Sequence, residues 1–406
     1  MKKLTKAILV SSLALIAGCT MLDCEAPSGL IGPFEKKDVP DKENAYLGYI
    51  AATNAVREWP EDFGDLTPER KAEFVATNAE ALALMRKASA CSVWYDTDFH
   101  GDGSVGFDFV RMMNMMCWDT EAQIAHGDGA AALKSIRSIA SFAATMRGGA
   151  EGRMYWQCAD MTMRDALCLA MKFANASCAT DGDLAALAAF LRSLPDIQSQ
   201  RHSLCITARR EAFYWGEFAF RKSLPDHYEH WSLGARYKFH PNRSWRMYLD
   251  MMRRVCDLVE RDYDKEAWRG LMAEIKSMKS GVKRCLPNLA GKEMVALSLG
   301  GWDSTALGEA FSEFYAAATE VVVAVERHRR NTGIRTKNLS ALVPEYMPSV
   351  PKDPFKTDAP LNYDHARGIV WTVGPDGDFN GEKLPGKDSY GRNSEYVMNL
   401  DGTKAY

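Results

Sequence analysis

The 406-residue chain lacks the patterns by which most enzymes and nucleic-acid binders can be read from sequence. It has no GxxxxGK[ST] loop and no strand-linked GxGxxG, the backbone cradles that hold nucleotide phosphates. Asp102-Gly103-Ser104-Val105-Gly106 lacks the glycine two residues before its serine, which excludes a nucleophile elbow. HExxH is missing, and the ten cysteines contain no CxxC pair, so zinc-protease, zinc-ribbon and thioredoxin-type redox chemistry have no motif here. Charge never gathers into a block of five like signs; the densest basic run is Arg327-His328-Arg329-Arg330. Phosphate backbones are bound by concentrated Lys and Arg, so nucleic acid is not an expected partner. Long apolar runs are also missing: Ala316 to Val325 is broken by Glu320 and is too short to span a bilayer.

What is present is the composition of a folded chain, 47% hydrophobic and 25% charged, long enough for two or three domains. The first eighteen residues stand apart. Lys2, Lys3 and Lys6 form a basic start, followed by an apolar run from Ala7 to Ile16 that ends in small residues, as a signal peptide does. Leu15-Ile16-Ala17-Gly18-Cys19 resembles the bacterial lipobox, which implies cleavage after Gly18 and lipidation of Cys19. An ordinary secretory signal with an incidental cysteine is the alternative. Several acyl chains on one cysteine anchor a protein stably, each buried CH₂ contributing ~0.8 kcal/mol. Thr20 follows the cysteine where Asp would favour inner-membrane retention, so the expected location is the cell envelope, at the outer membrane. Losing the three signal lysines moves the net charge from −3 to −6.

Residues 19–42 hold Pro27, Gly29, Gly32, Pro33 and Pro40 and read as a tether. From 43 to 302 the 3.6-residue period dominates. Thr67-Pro68-Glu69 is a helix start with cap, proline and early acid, predicting a helix to about Ala90. Met112–His126 and Ala130–Met146 form a pair around His126-Gly127-Asp128-Gly129, the second burying Leu133, Ile136, Ile139, Ala140 and Ala143. Further helices are expected at about 153–175, 183–193, 198–222, 243–262 and 264–280. Short Gly-Asp turns between them predict an irregular helical-hairpin array, similar to tetratricopeptide-type solenoids but without a strict 34-residue period. Without Cys19 the cysteines number nine, so at least one is unpaired within the chain, and one or two disulfides is the expected maximum.

The character changes near 303. Asp303 or Ser304 can cap a long helix with the stripe Leu307, Phe311, Phe314, Ala318, Val321, Val322 and Val325; Arg327–Arg330 crowd its last turn and Gly333 suits the position after it. Short strands are expected at Leu361–Tyr363, Ile369–Val373 and Tyr396–Leu400. The fold class is therefore mainly α, a helical-hairpin array at 43–302 followed by a small α+β domain at 303–406.

Within this last region, Leu339-x-x-Leu342-Val343-Pro344-x-Tyr346-x-Pro348, then Pro351-x-Asp353-Pro354-Phe355, Tyr363 and Val373-Gly374-Pro375-Asp376-Gly377, resemble the C-terminal part of type II secretion major pseudopilins. The resemblance covers about residues 310–381 and includes the preceding long helix. It departs from that family at the start of the chain, where a lipobox replaces the polymerising transmembrane helix, so assembly into a pseudopilus is not expected. The combination of helical region and pseudopilin-like tail also resembles exported helical lipoproteins of planctomycete-like bacteria, a likeness that implies no activity.

Two metal sites can be sketched. Asp376-x-Asp378-x-Asn380-Gly381 alternates oxygen ligands before a glycine turn, as calcium loops do, with Asp388 able to close the shell. Lys387 stands where an EF-hand has its bidentate acid, so this is not an EF-hand. The pseudopilin likeness implies calcium near this place, while a polar Asp-Gly turn explains the same residues. His227-x-x-His230, with Asp226 and Glu229, offers two imidazoles but no evident third ligand. Phe213-Tyr214-Trp215, Phe218 and Phe220 form an aromatic segment that reads as core or as a groove lining. The function expected from these features is a non-catalytic, lipid-anchored envelope protein that binds a protein partner or acts as a scaffold. The alternatives are an envelope hydrolase with a site outside known motifs, or an accessory protein of a secretion system.

Overall fold

The computed structural model describes residues 39–60, 63, 66–95, 104–149, 152–214, 239–278, 287–377, 379 and 397–401. Cap chemistry sets many helix boundaries. Thr67 accepts from the Arg70 amide, with Pro68 in the first turn, to open α2 (Pro68–Thr77), after α1 (Ala45–Asn54). The single helix expected to Ala90 is instead two, because Asn78 breaks it. Its side-chain amide donates to the Phe74 carbonyl at 2.9 Å and its Oδ1 accepts from the Arg57 amide, also at 2.9 Å. A buried side chain that competes for backbone partners ends one helix, and α3 (Ala79–Ala88) starts afresh.

α4 (Ser104–Ala125) and α5 (Gly129–Gly149) form the expected pair. The Asp128 carboxylate accepts from the Ala131 amide at the start of α5. α6 (Arg153–Asn175) packs on both, and its buried face runs through Trp156, Met163, Leu167 and Phe173. An aromatic group of Tyr49, Trp94, Phe109 and Phe142 fills the space between α1, α4 and α5, with Phe109 and Phe142 stacked at 5.8 Å. Gly149 passes so close to the Trp94 carbonyl that any Cβ there would overlap its oxygen. α7 (Asp181–Ser193) opens with a capping box: Thr180 and Asp183 exchange side-chain-to-backbone bonds of 3.0 and 3.1 Å. α8 is Ile197–Tyr214.

The described residues divide into two compact units. One lies within Ala208–Ser304. There α9 (Pro241–Val259), α10 (Lys265–Ser277) and α11 (Leu289–Ser298) bury Trp245, Tyr248, Met252, Val255, Trp268 and Leu271. Asn288, in the left-handed region at φ 67°, accepts from the His240 amide at 2.7 Å and the Ser244 hydroxyl at 3.0 Å. The other unit combines residues of Lys37–Thr207 with those of Thr305–Tyr406. The chain thus leaves this unit after Thr207 and returns to it at Thr305.

α12 (Trp302–Thr332) already includes Asp303 and Ser304, the expected caps, and follows a turn at Gly301 with φ 88°. Its end is as expected, with Gly333 at φ 79° taking the left-handed position. Arg330 keeps its Nε on Glu326 of its own helix, at 2.8 Å, while its Nη atoms donate to the carbonyls of Ala174 at 3.0 Å, Ala176 at 3.2 Å and Ala179, closing the C-terminal end of α6. Beyond it, β1 (Lys352–Asp353) pairs with β2 (Lys356–Pro360), and β3 (Asn362–Asp364), β4 (Ile369–Trp371) and β5 (Val397–Asn399) form an antiparallel sheet in chain order. Tyr363 stands opposite Val370, and Val370 opposite Met398. The tail rests on the helices through Phe355 against Phe311, ring centres 5.2 Å apart, and through the Asn175 amide to the Leu400 carbonyl. Among the described residues no strand lies between 43 and 300, and no helix is long and apolar enough to cross a membrane.

Candidate functional site

From Thr305 to Tyr315 every residue of α12 is buried. A helix covered on all sides must find partners for whatever polar groups it carries, because an unpaired buried charge is expensive. This stretch carries Glu309, Ser312 and Glu313, and three other helices supply their surroundings. α5 contributes Arg147 in its last turn, where a cation also favours the helix dipole. α6 contributes Asp160 and Arg164, four residues apart on one face, and α8 contributes Gln200 and Arg201.

Arg201 and Glu313 form a bidentate pair, Nε to Oε1 at 2.8 Å and Nη2 to Oε2 at 2.9 Å. Asp160 is the hub of the rest. Its Oδ1 accepts from the Arg147 guanidinium and from the Ser312 hydroxyl, and its Oδ2 lies 3.2 Å from Arg164. Arg147 also donates to Gln200 and places its guanidinium 5.2 Å over the Trp156 ring. Gly308 leaves room beside Asp160: a Cβ there would lie 3.5 Å from Oδ2.

Glu309 is the exception. Its nearest cationic atom is Nη2 of Arg147 at 3.8 Å, beyond hydrogen-bond reach, and neither of its oxygens has a donor. Burial pushes its carboxyl from 4.5 up to about 7; Arg147 and Arg201 pull it down, Asp160 and Glu313 push it further up. The cluster can therefore hold an exchangeable proton near neutral pH. Direct contact with a substrate is another matter. The side chains of Asp160, Glu309 and Glu313 are 3% to 6% exposed, and only Arg164, at 17%, lies toward the edge.

The chain matches no known family model, no curated protein and no solved structure.

The residues singled out in the sequence fall elsewhere. Cys19, His227, His230, Asp378, Asn380 and Asp388 lie outside the described residues, as do Trp215, Phe218 and Phe220. Asp376 is exposed in a turn where the Gly377 amide donates to the Gly374 carbonyl at 2.9 Å. Among the described residues no group of three or more His, Cys, Asp or Glu is arranged to hold a metal. The seven described cysteines, from Cys91 to Cys256, form no disulfide with one another. Reading α12 as one apolar stripe hid the ion cluster. The available signal was two acids four residues apart, Glu309 and Glu313, inside a helix apolar on more than one face.

A second buried acid joins two pieces of the tail. Asp353 Oδ1 accepts from the Phe355 amide at 2.9 Å and the Thr372 hydroxyl at 2.6 Å, while Oδ2 accepts from the Val373 amide at 2.8 Å. The Pro-x-Asp-Pro segment is thereby tied to the start of the Val373-Gly374-Pro375-Asp376-Gly377 loop.

Proposed function

We propose that the chain is a lipid-anchored protein of the bacterial cell envelope, held at the outer membrane through Cys19, which binds a protein partner or acts as a scaffold without catalysis. The observation that carries the non-catalytic part is the coverage of the ion cluster. Its three carboxylates are almost fully enclosed, and two of them are committed to arginines. A catalytic acid has to come within hydrogen-bond reach of the proton it transfers. A buried network of this kind instead fixes which helices meet and in what register, a specificity role seen in some proteins.

A hydrolase reading would take Glu309 as a general acid, since its raised pKa suits that role. The same burial that raises it stands against substrate access. The accessory-protein reading draws on the tail, where Asp353 links the two segments that resemble pseudopilins. That likeness is by analogy and gives no partner.

The experiment is membrane flotation of the native chain beside Cys19→Ser, followed by photo-crosslinking in intact cells from half-exposed positions Met154 and Met161 on α6. Flotation of the native chain alone, with one discrete envelope adduct, supports the proposal. Equal flotation of both chains overturns the anchor. Turnover of an ester, peptide or glycoside panel by the purified chain, abolished by Glu309→Gln, overturns the non-catalytic reading.

A further inference from the structure

Four helices bring charge to Glu309. Arg147 comes from α5, Asp160 and Arg164 from α6 and Arg201 from α8, while Glu313 lies one turn further along α12 itself. Around it Asp160 and Glu313 are fully engaged, yet both Glu309 oxygens lack a donor, and Arg147 keeps its Nε–H without an acceptor. A carboxylate and a guanidinium thus lie 3.8 Å apart, each with unused hydrogen-bonding capacity, while the arginine's other nitrogens serve Asp160 and Gln200. This arrangement suits a neutral Glu309. An ionised one would be a buried anion without hydrogen bonds, and would compete with Asp160 for Arg147.

We propose that Glu309 is a proton-binding site that sets how tightly α12 is held against α5, α6 and α8. With the proton on, Arg147 is left to Asp160 and Gln200, and α5, α6 and α8 stay joined through it. With the proton off, Glu309 draws Arg147 toward itself, and the bonds to Asp160 and Gln200 weaken. The direction of the linkage follows from the raised carboxyl. The folded chain binds this proton more tightly than the unfolded chain, so the stabilisation is fully present below the unfolded carboxyl's range and is lost as pH rises through about 7. The inference does not depend on the lipid anchor or on any partner.

The test is infrared difference spectroscopy of the full chain between about pH 5.5 and about pH 8.5, a range in which ordinary carboxyls are already largely ionised. The wild-type chain is expected to show a protonated-carboxyl band at the lower pH that disappears at the higher one, and Glu309→Gln is expected to lack it. In parallel, the wild-type melting temperature should fall by about 3 °C or more across the range, and that fall should shrink by at least half in Glu309→Gln. If Glu309→Gln does not fold, Glu309→Met replaces it as an uncharged variant of similar length. A wild-type chain without the band overturns the proposal whether or not either variant folds. So does a band that persists in the variant, or an unchanged dependence of melting on pH.

Discussion

Arg201 grips Glu313 through two parallel hydrogen bonds, 2.8 and 2.9 Å long, while Glu309, one turn earlier on the same helix, receives none. Two carboxylates on one face of one helix therefore have opposite circumstances. The first holds α8 to α12; the second is free to exchange a proton.

Removing one partner of the first pair should be costly. Arg201→Ala takes the bidentate partner from buried Glu313, and breaking such a pair costs about 3–5 kcal/mol. Replacing both, Arg201→Met with Glu313→Leu, should recover most of that loss, because an apolar pair of similar volume needs no counter-charge. Urea unfolding of the two variants decides the point. A double replacement as damaging as Arg201→Ala would show that shape, not charge, holds the helices.

Asp353→Ala should loosen the tail. It takes the Asp353 carboxylate from the part-buried Phe355 and Val373 amides and from the buried Thr372 hydroxyl, where losing a buried bond costs about 1–3 kcal/mol. Limited proteolysis should then cut first between 350 and 380, with the helices before Thr207 still resistant. Unchanged cleavage kinetics would remove Asp353 from this role.

Two glycines should respond in opposite ways to the same change. Gly149→Ala drives a methyl into the Trp94 carbonyl and should destabilise by about 1–3 kcal/mol. Gly308→Ala places its methyl at ordinary contact distance from Asp160, and should be neutral or stabilising by up to about 1 kcal/mol through helix propensity. Thermal melts of the pair provide an internal control, since the substitution is identical and only the surroundings differ.

The calcium reading of Asp376, Asp378, Asn380 and Asp388 leads to a weak, stabilising site. Melting of the full chain should rise in millimolar calcium relative to chelator, and Asp376→Ala or Asp378→Ala should remove the rise. Superimposable melts of the unmutated chain would leave only a polar turn.

Much of the helical architecture was legible because amphipathic spacing survives in single sequences. The α6 and α7 boundaries and the Thr67 cap fall close to their expected positions for that reason. The break at Asn78 was not legible, since it depends on the Arg57 amide, 21 residues earlier, arriving at its side chain. The β1–β2 hairpin escaped notice because two to five residues around Pro354 carry no alternation to read. The ion cluster needed α5, α6, α8 and α12 to meet, and nothing local in the sequence announces that Arg147 and Asp160 face Glu309. Asp353 was read as part of a proline-rich pattern, when its role is to accept bonds from residues up to 20 positions away.

The return of the chain to its first unit has a consequence for synthesis. Arg147, Asp160 and Arg201 leave the ribosome well before the acids and hydroxyl of α12 that face them, Glu313 following Arg201 by 112 residues and Ser312 following Asp160 by 152. Until those residues emerge, Arg201 lacks the Glu313 carboxylate, Asp160 lacks the Ser312 hydroxyl, and the carbonyls at the end of α6 wait for Arg330. The nascent helices before Thr207 therefore remain an unfinished surface. A chain stopped before α12 should behave as a target for chaperones and proteases, not as a smaller domain.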